Sequence, residues 1–149
     1  MKNLKDNGVR VLDYEDEIIT IKNTNLHIYG IDNVYYSPTF CLENEFSLDE
    51  KNYTILLAHI ANLPKFEEFG IDLALSGDTH GGQIRIPFLG AVYTQDAWFP
   101  ELQGKVMKGL YTKNNTNLFI SSGLGNYPLP IRIFNNPEIA VIKLIPKNE

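Results

Sequence analysis

Three side chains in this 149-residue sequence have the chemistry of metal ligands and sit where a fold could gather them. His59 closes the apolar run "YTILLAH", and Asp78 and His80 follow a second apolar run, "IDLALSG". Imidazole nitrogens with a carboxylate oxygen and no thiolate suit Mn, Fe or Zn. Asp78 and His80 are two residues apart, and in an extended segment that spacing puts both side chains on one face. Two imidazoles and one carboxylate are therefore expected to converge. Gly77, Gly81 and Gly82 surround them, and glycine permits tight turns and close approach of the backbone to a ligand. Each residue also has a plainer structural use. A strand-end histidine can satisfy one hydrogen bond, and an aspartate can cap a turn.

The elements that must position these residues follow from the hydrophobic pattern. "YTILLAH" (53–59) is a continuous apolar run, the pattern of a strand buried on both faces. "PKFEEFG" reads as a short helix with Pro64 in its first turn and Gly70 after its end. "IDLALSG" is a second buried strand. A helix between two strands predicts that they are parallel neighbours whose C-terminal ends lie together. Ligand-binding residues favour that edge of an α/β sheet. Upstream, a helix ends at Gly8, Val9 to Leu12 reads as a short strand, and "EIITIK" and "LHIYGI" form a hairpin about Asn23-Thr24-Asn25. Residues 33–51 read as irregular, with a short helix near Leu42 to Phe46. Downstream, "QIRIP" precedes a loop rich in Pro, Gly and aromatics, and "VMKGLYT", "TNLFISSG" and "EIAVIKLIP" give three more strands. The fold class is strand-rich α+β or α/β, a mixed sheet with few helices in a single domain over 1–149.

"ILLAH", "IDLALSGDTHGGQIRIPFLG" and "LFISSGLGNYPLPIRIFNNPEIAVIKL", in that order, resemble the C-terminal half of the calcineurin-like metallophosphoesterases. The branch is the one that includes YkuE-type phosphodiesterases and UDP-diacylglucosamine pyrophosphatases. "LKDNGVRVLDYEDEIITIKNTNLHIYGID" resembles the segment that follows the family's Gly-Asn-His motif. The resemblance implies a four-layer α-β-β-α sandwich, of which this chain is the strand-rich part. It implies two divalent ions (Mn, Fe, Zn or Mg) and hydrolysis of a phosphodiester or pyrophosphate by a metal-bound hydroxide. His59 matches a lone metal-binding histidine, and His80 the second histidine of Gly-His-x-His. Asp78 stands at the first histidine of that motif. Gly-Asp-x-x-Asp and Gly-Asn-His do not occur in the 149 residues, and the one Asp-x-His is Asp78-Thr79-His80 itself, so the family's opening Asp-x-His is not matched elsewhere. The expectation is a truncated portion of a phosphoesterase domain, inactive by itself. The alternatives are a non-catalytic remnant or binding module with at most a weak metal site, and a β-rich binding domain unrelated to phosphoesters.

The remaining residues carry less. Arg132, after "GLGNYPLP", and Asn126 in that loop are candidates to touch substrate, since a guanidinium meets phosphate bidentately. Tyr127 is a weaker one, and Arg85 reads as a surface strand residue. His27 reads as a surface or edge histidine, Trp98 and Phe99 as core or rim packing, and Cys41 as small and half-buried. One cysteine excludes a disulfide framework and a cysteine-based zinc site. Net charge is −5 with no Lys/Arg run, so no nucleic-acid patch is expected; the partner that the resemblance implies is a small phosphoester. No apolar run approaches the ~20 residues of a membrane span, and "MKNLKDNG" lacks the apolar stretch of a signal peptide. The chain reads as cytoplasmic. Half a sandwich would leave one sheet face uncovered, which predicts self-association.

Overall fold

The computed structural model describes residues 2–32, 40–94, 97–127 and 130–145. In chain order these carry α1 (Lys2–Asp6), β1 (Glu15–Ile21), β2 (Thr24–Ile31), β3 (Tyr53–Ala58), α2 (Leu63–Phe69) and β4 (Leu73–Ser76). Four two-residue strands follow: β5 (Arg85–Ile86), β6 (Gly90–Ala91), β7 (Tyr93–Thr94) and β8 (Ala97–Trp98). β9 (Gly109–Lys113) and β10 (Thr116–Ile120) complete the set. The main sheet has the order β1-β2-β3-β4-β10-β9. Its four central strands run parallel to one another, and the two outer pairs are antiparallel. This is the strand-rich mixed sheet with few helices that the hydrophobic pattern predicts.

The β3–α2–β4 unit positions the candidate ligands. Asn62 caps α2, its side chain accepting from the Lys65 amide at 3.3 Å, with Pro64 in the first turn. Gly70 closes the helix at φ 96°, a left-handed conformation that favours glycine. Phe66 and Phe69 then turn inward and pack with Leu56, Ala74, Leu118 and Ile120 in one apolar cluster. A pair that the apolar pattern does not reveal locks the strand starts. Asp72 Oδ2 accepts from the Thr54 amide and hydroxyl at 2.8 Å each, and the Asp72 amide donates to Thr54 Oγ at 2.9 Å.

Several local expectations differ from the structure. β3 alternates instead of being buried on both faces. Leu56 is fully buried beneath α2, whereas Leu57, pointing to the other face, is 41 % exposed. The hairpin turns at Lys22–Asn23, since Ile21 pairs with Thr24. Val9 to Leu12 forms no strand; Leu12 lies against β2 where Gly30 leaves room, and a Cβ on Gly30 would stand 2.4 Å from Leu12 Cβ. The helix near Leu42 is a single 3-10 turn, Leu42–Asn44, and residues 33–39 lie outside the described residues. Cys41 and Trp98 are exposed. The described part of "EIAVIKLIP" contains no strand. His27 is buried, 8 % exposed. Its ring stacks on Tyr29 and faces Asp16 at 2.6 Å and Asp49 at 3.0 Å.

Candidate metal centre

The sheet continues for two residues past its strands at the relevant edge. Beyond the β3–β4 pairing, the amides of Gly77 and Asp78 donate to the His59 carbonyl at 3.3 and 3.1 Å. The chain segments leaving the two strands are thus held side by side. As a result His59 Nε2 stands 3.1 Å from Asp78 Oδ1, both side chains being partly exposed. Two atoms bound to one ion at ~2.1 Å each, at right to tetrahedral angles, lie roughly 3.0–3.4 Å apart. The pair therefore has the spacing of two neighbouring ligands of a single ion.

His80 takes a different course. Residues 78–81 form a turn, and His80 has φ 49°, so the extended alternation that would align it with Asp78 is broken. The turn is closed by His80 N donating to Gly77 O at 3.1 Å and Gly82 N to Thr79 O at 2.8 Å. Thr79 Oγ donates to Met107 O at 2.6 Å, tying the turn to the chain before β9. The His80 ring reaches the 122–126 loop, where Nδ1 meets Gly125 O at 3.1 Å. A carbonyl only accepts, so Nδ1 is the donor, and in the neutral ring Nε2 keeps its lone pair. A backbone acceptor behind the ring is the usual support of a metal-binding histidine. Among the described residues no group of three or more His, Cys, Asp or Glu could hold a metal ion. The structure brings His59 and Asp78 together and does not bring His80 into one group with them. The donor types and 3.1 Å spacing of His59 and Asp78 are compatible with two ligands of one ion.

Of the three loop-shaping glycines, two are required by geometry. Gly81 and Gly82 have φ 67° and 69°, and a Cβ on Gly82 would lie 2.3 Å from Ala91 Cβ. Gly77 has neither demand, for its nearest neighbour would be Ser121 O at 4.0 Å. Arg132 and Asn126 meet each other, Nε donating to Oδ1 at 2.7 Å. The other donors of Arg132 go to backbone carbonyls: Ser122 at 2.7 Å, Gly123, Gly125 and His80. The guanidinium, a candidate to touch substrate, donates to the loop behind His80. Arg85, expected at the surface, is likewise engaged, by Glu101 at 2.9 Å and Gly81 O at 2.6 Å. Glu138 closes the far side of the loop, accepting from the Ser122 amide at 2.9 Å. That amide bond, ahead of the burial that opposes it, holds the Glu138 carboxyl below the usual glutamate range.

Beside His59 lies a shallow, open depression of about 360 Å³, lined also by Leu12, Ile31, Ala58, Ser76 and Gly77. Ser76 has a buried Oγ without a hydrogen-bond partner among the described residues. A buried hydroxyl of this kind calls for an explanation such as a water or an ion. Sequence reasoning missed Ser76 and also Asn135, whose amide holds the His80 turn. Neither residue type carries a chemical signature at those positions.

No family model matches the chain. Similarity to individual proteins decides the matter. An uncharacterized metallophosphoesterase of Bacillus subtilis, YkuE, is 37 % identical over 99 residues, 65 % of this chain and 32 % of its own length. One of Helicobacter pylori is 40 % identical over 106 residues, 68 % of this chain and 26 % of its own. This chain is homologous to part of the metallophosphoesterases. A further such protein, of Aquifex aeolicus, is 29 % identical over 150 residues, 95 % of this chain and 52 % of its own length. The chain thus spans about a quarter to a third of the length of the first two and about half of the third. No solved structure matches. Metallophosphoesterases imply divalent metals and phosphoester substrates, and the donor types of His59, Asp78 and His80 suit such ions. No helix among the described residues is long and apolar enough to cross a membrane.

Proposed function

We propose that this chain is the C-terminal portion of a metal-dependent phosphoesterase domain that hydrolyses a small-molecule phosphodiester or pyrophosphate. The observation that carries the reading is the 3.1 Å contact of His59 and Asp78 across two parallel strand ends, in a chain homologous to metallophosphoesterases. Divalent ions in such a centre act as Lewis acids on phosphoryl oxygens and provide a nucleophilic water at neutral pH. His59 would hold a metal through Nε2, Asp78 through Oδ1, and His80 through the Nε2 that its bond to Gly125 leaves open. Arg132 and Asn126 shape the loop that supports His80. Further ligands are to be supplied by polypeptide outside these 149 residues. The acidic net charge favours a small substrate over a nucleic acid.

One observation favours a second reading. The described residues hold two paired donors and no group of three, so the chain alone would be a non-catalytic module with a weak metal site. Calorimetric titration with Mn²⁺ and with Zn²⁺ at one pH tests the metal assignment. Weak binding is expected, reduced in both His59→Ala and Asp78→Asn. A wild-type chain that takes up neither ion removes the metal reading. Turnover of a chromogenic phosphodiester with Mn²⁺, lost in His80→Ala, removes the second reading. We also propose self-association through exposed apolar surface, tested below.

A further inference from the structure

The backbone at His80 is held by a side chain that no metal-ligand pattern would select. His80 has φ 49°, a region that non-glycine residues occupy only when their surroundings impose it. Its carbonyl accepts from Asn135 Nδ2 at 2.7 Å and from Arg132 at 3.4 Å. Asn135 Nδ2 also donates to Gly82 O at 3.2 Å, so one amide group bridges both ends of the Gly81 turn. Asn135 is 3 % exposed, and its Oδ1 is buried with no hydrogen-bond partner among the described residues. An orphaned buried acceptor is costly. Reversing the amide would set that oxygen against two carbonyl oxygens, so the observed orientation is the one that serves the turn. The His80 ring is fixed at its other end by Gly125 O, and Arg132 donates to that same carbonyl. The segment 132–135 therefore grips His80 twice, at its carbonyl directly and at its ring through Gly125.

From this we infer that Asn135 is the positioning residue of His80: it holds the left-handed backbone that aims the imidazole at Gly125 O, fixing the Nδ1–H tautomer and leaving Nε2 as the ligating atom. Arg132 is its partner on the same carbonyl. The significance of Nε2 rests on the metal reading proposed above, while the tautomer and its cause do not.

The test is nitrogen-15 NMR of the histidine rings in the full chain without metal, repeated on Asn135→Leu, which keeps the shape and removes the donor. Wild type should show His80 with the proton on Nδ1. In Asn135→Leu the majority form should switch to Nε2–H, with the rings of His27 and His59 unmoved. An unchanged His80 tautomer in a folded variant overturns the inference, as does a wild-type His80 protonated on Nε2. If the variant does not fold, the scalar coupling across the Asn135 Nδ2–H···O=C His80 bond is read in wild type, and its absence is equally fatal. Addition of Zn²⁺ alone then separates the two ideas. A Zn²⁺ response at His80 with an unchanged tautomer in Asn135→Leu refutes positioning and leaves the metal reading standing. A switched tautomer without a Zn²⁺ response supports positioning and removes the metal reading.

Discussion

Asp78 is the residue on which the chemistry of the site turns. A carboxylate is a harder and more compact ligand than the imidazole that the family resemblance places there, so a metal held with His59 should favour Mn²⁺ or Mg²⁺ over Zn²⁺ relative to a two-histidine site. Asp78→His should raise Zn²⁺ affinity roughly tenfold or more, about 1.4 kcal/mol. Calorimetry at a single pH reads it, because ligand protonation competes with the metal. Equal affinities would make Asp78 a turn residue paired with His59 and nothing further. Asp49 supports a second expectation. Bonds from the Asn52 side chain and the Lys51 amide hold its carboxyl at about 2, below its ordinary 3.8. A carboxyl lowered in the folded state stabilises the fold above its unfolded value, and that contribution is lost as pH falls toward the folded one. Melting temperature should therefore drop between about pH 4 and pH 2, and Asp49→Asn should flatten that part of the profile; an unaltered profile in the variant would refute it. The adjacency of His59 and Asp78 was legible, because a helix between two apolar strands makes them parallel neighbours whose ends lie together. The turn at His80 was not. Its φ is imposed by Asn135, 55 residues away, and an Asx residue in a loop looks like any other.

At the scale of elements, β3, α2 and β4 were readable from apolar runs, a proline and a glycine, because each of those signals acts within a few residues. The two-faced burial assigned to β3 was not readable correctly. An apolar run shows what a strand could bury, while the elements that cover its second face lie elsewhere in the chain. The same distinction separates the glycines of the turn. Gly82 combines φ 69° with a Cβ position 2.3 Å from Ala91 Cβ. Gly82→Ala therefore incurs a left-handed penalty of roughly 1–2 kcal/mol together with overpacking of about 1–3 kcal/mol. Gly77 has an ordinary φ and open space, so Gly77→Ala should change stability by less than ~1 kcal/mol. Denaturant unfolding of the two variants, side by side, measures the contrast. Equal losses would show that β6 does not pack on the turn as described.

At the scale of the whole molecule, the tract after Glu138 is the feature that local patterning misjudged. "IAVIKLI" has the β-branched, apolar composition of a buried strand, yet Ile139 is 77 % and Val141 92 % exposed, and no strand forms there among the described residues. Composition specifies a strand only when an edge is available to pair with it. Glu138, bonded to Ser121 and Ser122, anchors the start of the tract, so the apolar residues beyond it leave the sheet from a fixed point. Leu57 and Tyr53 add apolar surface on the open face of β3. A weakly charged β-forming segment that is exposed and unpaired is a template for association. The chain should sediment as a dimer or larger species at micromolar concentration, with mass rising as concentration rises. Ile139→Lys combined with Val141→Lys places two like charges on the tract and should shift the population to monomer without altering the melting of the sheet. A wild-type chain that stays monomeric across the concentration series would mean that these side chains are tolerated in water, and the tract would then have no part in assembly.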